Sequence, residues 1–429
     1  LTSPLMTVLS GPAAGVVGAA RVASDAGFDN VVTLDIGGTS ADISLVRNAI
    51  PSITASASFG DYPLNLPMID VQAIGAGGSS IAWVDGAGGL KVGPESAGAN
   101  PGPAAYARGG TNPTVTDASL ILGYLNPASF AGDLSLDPEA ALESIRKRIA
   151  EPLDIDEIRA ALGIHTVVNS TMANTLRLVT LRKGHDPRDL ALVAFGGAGP
   201  THAGRLAAEV GVQTVLIPPH PGVLSALGLL LAPLQNSATA SLPPGATTQD
   251  AAAVIARLDS ILEEGLRKEL VDPSDVERNH FALLRYVGQA HELEVPLEVT
   301  HGFDILAKAR DDFHGVHHAT HGHSRPSSEV EVVMVRSVHR GPSSFQGTMQ
   351  VDTQTGPASA TSRQACFDSA EGFCDVQIFQ RSALEADNTI EGPAIIEQPD
   401  TTTVVYPGDS AYVDEYNNLV MKIQPLGSR

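Results

Sequence analysis

The run Val31-Val32-Thr33-Leu34-Asp35-Ile36-Gly37-Gly38-Thr39-Ser40-Ala41-Asp42-Ile43-Ser44-Leu45-Val46 decides how this chain is read. Two β-rich segments flank a Gly-Gly-Thr-Ser turn, with one carboxylate on each side. The glycines let backbone N–H groups point into one concavity, which suits a phosphate chain. Thr39 and Ser40 can add hydroxyl donors, while Asp35 and Asp42 can hold a hydrated Mg2+ against the phosphates. The other reading is a tight hairpin whose Asp residues satisfy turn N–H groups, and the stretch alone leaves both open.

Two commoner phosphate motifs fit worse. A Walker A loop needs Gly-Lys-Ser/Thr opening a helix, yet no lysine lies here and Ala41 to Val46 alternates like a strand. A Rossmann turn fails for the same reason. Farther on, the apolar run Leu190 to Phe195 is followed by Gly196-Gly197-Ala198-Gly199-Pro200 and a helix-like segment from Thr201 to Val210 closed by Gly211. Strand, glycine turn, helix is an order that admits a flat or charged ligand at a helix N-terminus. It is a poor dinucleotide fingerprint, because His202 takes the last glycine position and no acid closes the strand Thr214 to Ile217. A plain tight turn is the alternative.

Five ordered blocks, Leu9 to Ala19, Leu34 to Ile43, Ile74 to Gly78, Val92 to Gly98 and Phe195 to Pro200, together resemble the hydantoinase A/5-oxoprolinase family. Arg285 to Gln289, Gly392 to Glu397 and Asp400 to Thr403 extend the resemblance over nearly the whole chain. It implies an α/β fold with an actin-like ATPase (ribonuclease H-like) core. Asp35 and Asp42 would then be catalytic, Asp35 holding Mg2+ through water. Gly37, Gly38, Thr39 and Ser40 would form a phosphate loop, and Gly196, Gly197, Ala198 and Gly199 the adenosine loop for ATP. The family's first phosphate loop, another Asp-x-Gly-Gly-Thr, does not occur between Leu1 and Arg429. The expectation is therefore a core incomplete at its N-terminus and a chain without turnover by itself. Three functions remain open: the resemblance implies an ATP-dependent hydrolase subunit opening a cyclic amide such as a hydantoin, N-methylhydantoin or 5-oxoproline, or the ATP-using subunit of an acetone/acetophenone-type carboxylase, and the third is a truncated nucleotide-binding or scaffold chain without activity. A B-type hydantoinase subunit is the implied partner.

Composition narrows the classes. A net charge of −21 over 429 residues, with no basic cluster, argues against nucleic acids and anionic membranes. No apolar run reaches membrane-spanning length and no signal-peptide pattern is found, so the cytoplasm is the default expectation. Cys366 and Cys374 have neither zinc-knuckle nor Cys-x-x-Cys spacing, so free thiols are expected.

Punctuation predicts helices over Ser10 to Ala26, Pro138 to Ala150, His165 to Lys183 and Ala251 to Leu270. Val168, Met172, Leu176 and Val179 make a core stripe on the third. Strands are expected at Phe281 to Val287, Glu292 to Val299, Val330 to Val338, Val376 to Phe379 and Thr402 to Tyr406. Residues 75–110, dense in Gly and Pro, should be loops and short strands, with Glu95, Asn100 and Arg108 as polar candidates. Arg177 and Arg182 can reach phosphates or pair locally. A Ser/Thr/Pro-rich shift at Pro233 to Gln249 suggests three domains: an ATPase core portion (1–235), an α+β domain (236–340) and a C-terminal β-rich domain (341–429). His314, His317, His318 and His321 share one helical face, yet no Cys or acid completes a ligand set and Gly322 breaks the helix, so packing is favoured over a metal.

Overall fold

The chain's fold was obtained as a computed structural model. The structure describes residues 10–54, 57–59, 62–64, 68–128, 130, 134–268, 271–289, 292–299, 304–343, 361–386 and 388–425. Helix α1 (Ser10–Asp25) stops at Gly27, whose φ of +82° suits the reversal into strand β1 (Val31–Ile36). The Gly37 to Ser40 turn sends the chain back as antiparallel β2 (Ala41–Arg47), in a register that faces Asp35 with Asp42. Strands β3 (Ile50–Pro51) and β4 (Val71–Ile74) both pair with β2, and β5 (Ser80–Val84) with β6 (Leu90–Ser96) forms a separate hairpin.

Helices α2 (Val115–Ile121), α3 (Pro138–Ile145) and α4 (Glu157–Leu181) follow, then β7 (Ala191–Phe195), α5 (Gly199–Val210), β8 (Thr214–Ile217) and α6 (Leu224–Leu231). Helix α4 begins at Glu157 rather than at His165. Asp156 caps it by accepting from the Arg159 N–H, and Ala160, Ala161 and Ile164 carry the apolar stripe back through the extra turns.

The chain forms two compact units, 1–229 with 347–429, and 230–346. The second contains β9 (Pro233–Ser241), α7 (Thr248–Lys268), β10 (Glu277–Tyr286), β11 (Leu293–Leu297), α8 (Ile305–His321) and β12 (Val330–Ser343). Its antiparallel sheet runs β9-β12-β10-β11, and Ile255, Leu258, Phe313 and Val335 lie in its core.

The last segment rejoins the first unit rather than standing as a third body. Strands β13 (Thr361–Asp368), β14 (Gly372–Gln380), β16 (Ala394–Gln398) and β17 (Thr401–Val405) make one sheet. Strands β15 (Thr389–Glu391), β18 (Ser410–Val413) and β19 (Leu419–Lys422) extend the main one, whose order is β15-β18-β19-β8-β7-β1-β2-β3 with β4 also on β2. Within it β1, β7 and β8 are parallel and β2 is antiparallel to β1. Period-2 alternation sorts the residues of β1 and β7 between two cores. Val32, Leu34, Leu192 and Ala194 pack with the stripe of α4 and with Leu206 of α5, while Val31, Val193 and Phe195 pack with Val16, Ala19 and Ala23 of α1. Each fully buried Val, Leu or Phe contributes about 1.5–3 kcal/mol, which makes this sheet a firm platform for the loops at its strand ends.

Candidate functional site

Asp35 lies beside Phe195 in the parallel β1/β7 register, so the turns after the two strands leave the sheet side by side. The Ala198 N–H donates to the Ile36 carbonyl at 3.0 Å and ties them together. Gly196 has φ +78°, and a Cβ there would run into the Asp35 carboxylate and the Ile36 carbonyl. A third glycine block buttresses the first turn from outside. The Gly78 and Ser79 N–H groups donate to the Gly37 and Gly38 carbonyls at 3.0 and 2.6 Å, and a Cβ on Gly77 would stand 2.7 Å from the Gly38 oxygen. Thr116, in the first turn of α2, donates its backbone N–H and its hydroxyl to the Gly78 carbonyl, each at 2.8 Å.

These loops enclose a cavity of about 240 Å3. Gly37, Gly38, Gly197 and Ala198 line it, so the two glycine clusters read from the sequence meet at one opening. Val115, Leu125 and Phe130 supply apolar wall. The C-terminal segment closes the rest: the Thr401 hydroxyl donates to the Gly197 carbonyl at 2.9 Å, the Thr201 hydroxyl to the Thr402 carbonyl at 2.7 Å, and Asp400 accepts from the Gly222 N–H at 2.8 Å.

Asp35 and Asp42 are half-buried and do not line the cavity. Burial, helped by the facing Asp42 charge and opposed by a hydrogen bond from Ser225, pushes Asp35 up to about 6. Burial raises Asp42 as well. Two crowded carboxylates that resist joint ionisation are a place where a cation lowers the energy. That property fits a hydrated Mg2+ at Asp35. Thr39 is exposed and Ser40 half-buried at the turn; neither they nor Gly196 and Gly199 line the cavity.

Two histidines stack at the cavity, His202 of α5, which lines it, on His165 of α4, with ring centroids 4.7 Å apart and planes 16° from parallel. His165 Nε2 lies 2.8 Å from the Ser119 hydroxyl and His202 Nδ1 lies 3.0 Å from Asn169 Oδ1. Burial depresses both, His202 to about 4, with His202 adding to the effect on His165. Both rings are therefore neutral at neutral pH.

Several sequence candidates lie elsewhere. Arg177 donates to the Glu209 carbonyl at 2.7 Å and so serves the end of α5. Glu95, Asn100 and Arg108 are exposed and do not line the cavity. Cys366 and Cys374 are free thiols. Helix α8 ends at Gly322, as its sequence indicates, and its histidines are engaged locally: His314 with the Tyr286 hydroxyl at 2.8 Å, His317 with the His323 carbonyl at 2.7 Å. Among the described residues no group of three or more His, Cys, Asp or Glu is placed to hold a metal, and no helix is long and apolar enough to cross a membrane. Sequence reasoning missed Thr116, Ser119, His202 and Gln398 on the wall. In the sequence His202 stands out only as a misfit in a glycine pattern, and Ser119 carries no signal.

The model of the hydantoinase/oxoprolinase family matches residues 1–238, and that of the hydantoinase/oxoprolinase C-terminal domain matches residues 245–423. The alpha subunit of caprolactamase from Pseudomonas jessenii is 37% identical over 414 residues, covering 93% of this chain and 59% of that subunit. The crystal structure of the ATP-dependent caprolactamase from that organism superposes with a TM-score of 0.79 at 36% identity, over 96% of this chain and 61% of its own. The nucleotide-free structure of acetone carboxylase superposes with a TM-score of 0.81 at 26% identity, over 97% and 62%. The chain thus spans about three-fifths of the length of these relatives.

Proposed function

Because the chain belongs to the hydantoinase/oxoprolinase family, we propose that it is part of an ATP-using enzyme that activates the carbonyl of a cyclic amide, working within a larger assembly that includes a B-type subunit. The observation that carries this reading is the meeting of Gly37-Gly38 with Gly197-Ala198 at one cavity. In it, the core is the nucleotide-binding half of an actin-like ATPase, a reading supported by the strand order β3-β2-β1-β7-β8 with β2 alone antiparallel among neighbours of β1. Bound Mg-ATP would supply a phosphoryl group whose transfer to the amide oxygen makes the carbonyl carbon a better electrophile for water, so that the ring nitrogen can leave.

The residues of this chain have distinct tasks. The Gly37 to Ser40 turn offers N–H and hydroxyl groups to phosphate oxygens, and Gly77 and Gly78 keep it from opening. Asp35 holds the hydrated cation, with Asp42 adding negative charge from across the hairpin. Gly196 to Gly199 lets the nucleoside approach β7 closely. Phosphoryl transfer depends mainly on such positioning and charge neutralisation. A cyclic amide is preferred to a ketone on the higher identity to caprolactamase, 36%, than to acetone carboxylase, 26%, in the structural superpositions.

Calorimetry of Mg-ATP binding to the full-length subunit tests the nucleotide site. Asp35→Asn should weaken it at least tenfold, and Gly37→Ala, whose Cβ meets no atom within 4 Å, should weaken it without unfolding the chain. Equal affinity in wild type and both variants would end this reading. ADP release from the whole assembly, stimulated by hydantoin, 5-oxoproline or a lactam and not by ketones with bicarbonate, decides the substrate.

A further inference from the structure

Four hydroxyl protons around the cavity are already spent. Thr116 donates to the Gly78 carbonyl, Ser119 to that of Val115 at 2.9 Å, Thr201 to that of Thr402 and Thr401 to that of Gly197. A hydroxyl has one proton, so each of these side chains has only lone pairs left to offer the cavity. Gln398 donates its amide to the Pro219 carbonyl at 3.2 Å and to Asp400 at 2.7 Å, leaving its buried Oε1 unpartnered. Ser79, Tyr106 and Thr402 also line the cavity and are outside this set of acceptors. A wall of spent hydroxyls repels phosphate oxygens and suits a ligand that brings its own protons.

His202 is the most buried member of this wall that keeps a free ring nitrogen: the residue is 2% exposed. Its Nδ1–H is taken by Asn169 Oδ1, which leaves the Nε2 lone pair as its contribution to the cavity. Its stacking partner does not disturb that state. With the Ser119 proton on Val115, His165 Nε2 must donate to the Ser119 oxygen, so its tautomer is fixed too. The low basicity of His202 agrees with a neutral ring that offers the cavity an acceptor.

We propose that His202 recognises the occupant of this cavity by accepting, at Nε2, a hydrogen bond from an N–H on a neutral planar ring, with Asn169 as the positioning residue that holds the accepting tautomer. The inference rests on the proposed function only in limiting the ring to two sources, a nucleobase or a cyclic-amide substrate. The phosphates of a nucleotide stay at the Gly37 turn, outside the acceptor-lined part.

Two matched pairs test it by calorimetric titration of the full chain: 2-pyrrolidone against γ-butyrolactone, and adenosine against purine riboside. In each, the second member lacks the N–H and nearly keeps the shape. One pair should show a preference of about tenfold or more for the N–H member, since its partner leaves a buried acceptor unpaired. Which pair shows it identifies the source. His202→Phe, which keeps a ring against His165, should abolish the preference. Asn169→Ala should reduce it partway, and 15N spectra of labelled histidine should then show a mixture of tautomers where wild type shows one. A preference that survives in His202→Phe, or no discrimination in either pair by wild type, overturns the proposal. Parallel Mg-ATP titrations separate the two readings: Mg-ATP binding without N–H discrimination defeats this inference alone, and discrimination without Mg-ATP binding defeats the nucleotide reading alone.

Discussion

His165 and His202 in the first unit bond to neutral partners, Ser119 and Asn169, and stack on each other, whereas His280 and His339 in the second share the carboxylate of Asp259, each at 3.0 Å. Ser337 donates to the same carboxylate. Asp259 belongs to α7, His280 to β10, and Ser337 and His339 to β12, so this cluster staples a helix to its sheet. Burial works to raise Asp259, but hydrogen bonds from Ser337 and His339 and the nearby His280 hold it below the usual carboxylate range. One residue type thus does two jobs. A carboxylate partner turns buried histidine into a structural tie, and neutral partners turn it into an uncharged acceptor that can face a ligand.

Removing the shared carboxylate is the hardest blow to the contrast. Asp259→Ala strips three donors of their acceptor and should cost about 3–4 kcal/mol, read as lost amide protection in β10 and β12. Protection that stays within about 0.5 kcal/mol of wild type would mean that the cluster ties nothing.

Acid pH separates the pairs next. His202 titrates near 4 in the fold and near 6.5 when unfolded, so the unfolded chain takes up the proton first. Stability from this group is complete above pH 6.5 and falls as the pH drops toward 4, by about 3 kcal/mol. Asp259 is the opposite case: its contribution, from a depressed pKa, is present above 3.8 and fades only as the pH falls through its lower folded value. Urea midpoints of wild type and His202→Phe measured from pH 7.5 to 4 should therefore diverge below 6.5, the variant having the shallower slope. Parallel curves would contradict it.

Asp35 and Asp42 form a third arrangement, two acids without a base. The folded pKa of Asp35, about 6, exceeds its ordinary 3.8, so ionising it costs stability above pH 6 and nothing below about 3.8. Asp35→Asn should stabilise the ligand-free chain by about 1–2 kcal/mol at pH 8, with the gain gone at pH 4, while impairing Mg-ATP binding. A melting temperature unchanged at pH 8 would show the acids to be better solvated than their burial implies. The two serines give effects of the same order or smaller. Ser337→Ala loses a bond to a charged acceptor, about 1.5–2 kcal/mol, and Ser119→Ala loses one to a neutral ring, about 1 kcal/mol, a ranking that denaturant midpoints can reverse or sharpen.

The strands around Asp35 and Asp42, the Gly196 to Gly199 turn and the helix that follows were legible because each is a local pattern: alternation of period 2, then glycine, then a 3.6 period. The start of α4 was misplaced for a local reason too, since Asp156 as a cap and Ala160-Ala161 as part of the stripe look weaker than Val168 and Met172. Where the segment beyond residue 340 belongs is hidden for a different reason. A β-rich composition cannot tell whether β15, β18 and β19 form their own sheet or extend one begun some 350 residues earlier, and here Lys422 pairs with Thr214.

That two glycine turns end two buried strands, with carboxylates flanking the first, follows from the order of residues alone, because backbone conformation and strand periodicity are properties of neighbouring residues. Packing in three dimensions brings those turns to one cavity, leaves Asp35 and Asp42 half-buried off its lining, and puts His202, Ser119 and Gln398 on it. Burial, tautomer and basicity arise from what packs around a side chain. For His202 those neighbours are Asn169 and His165.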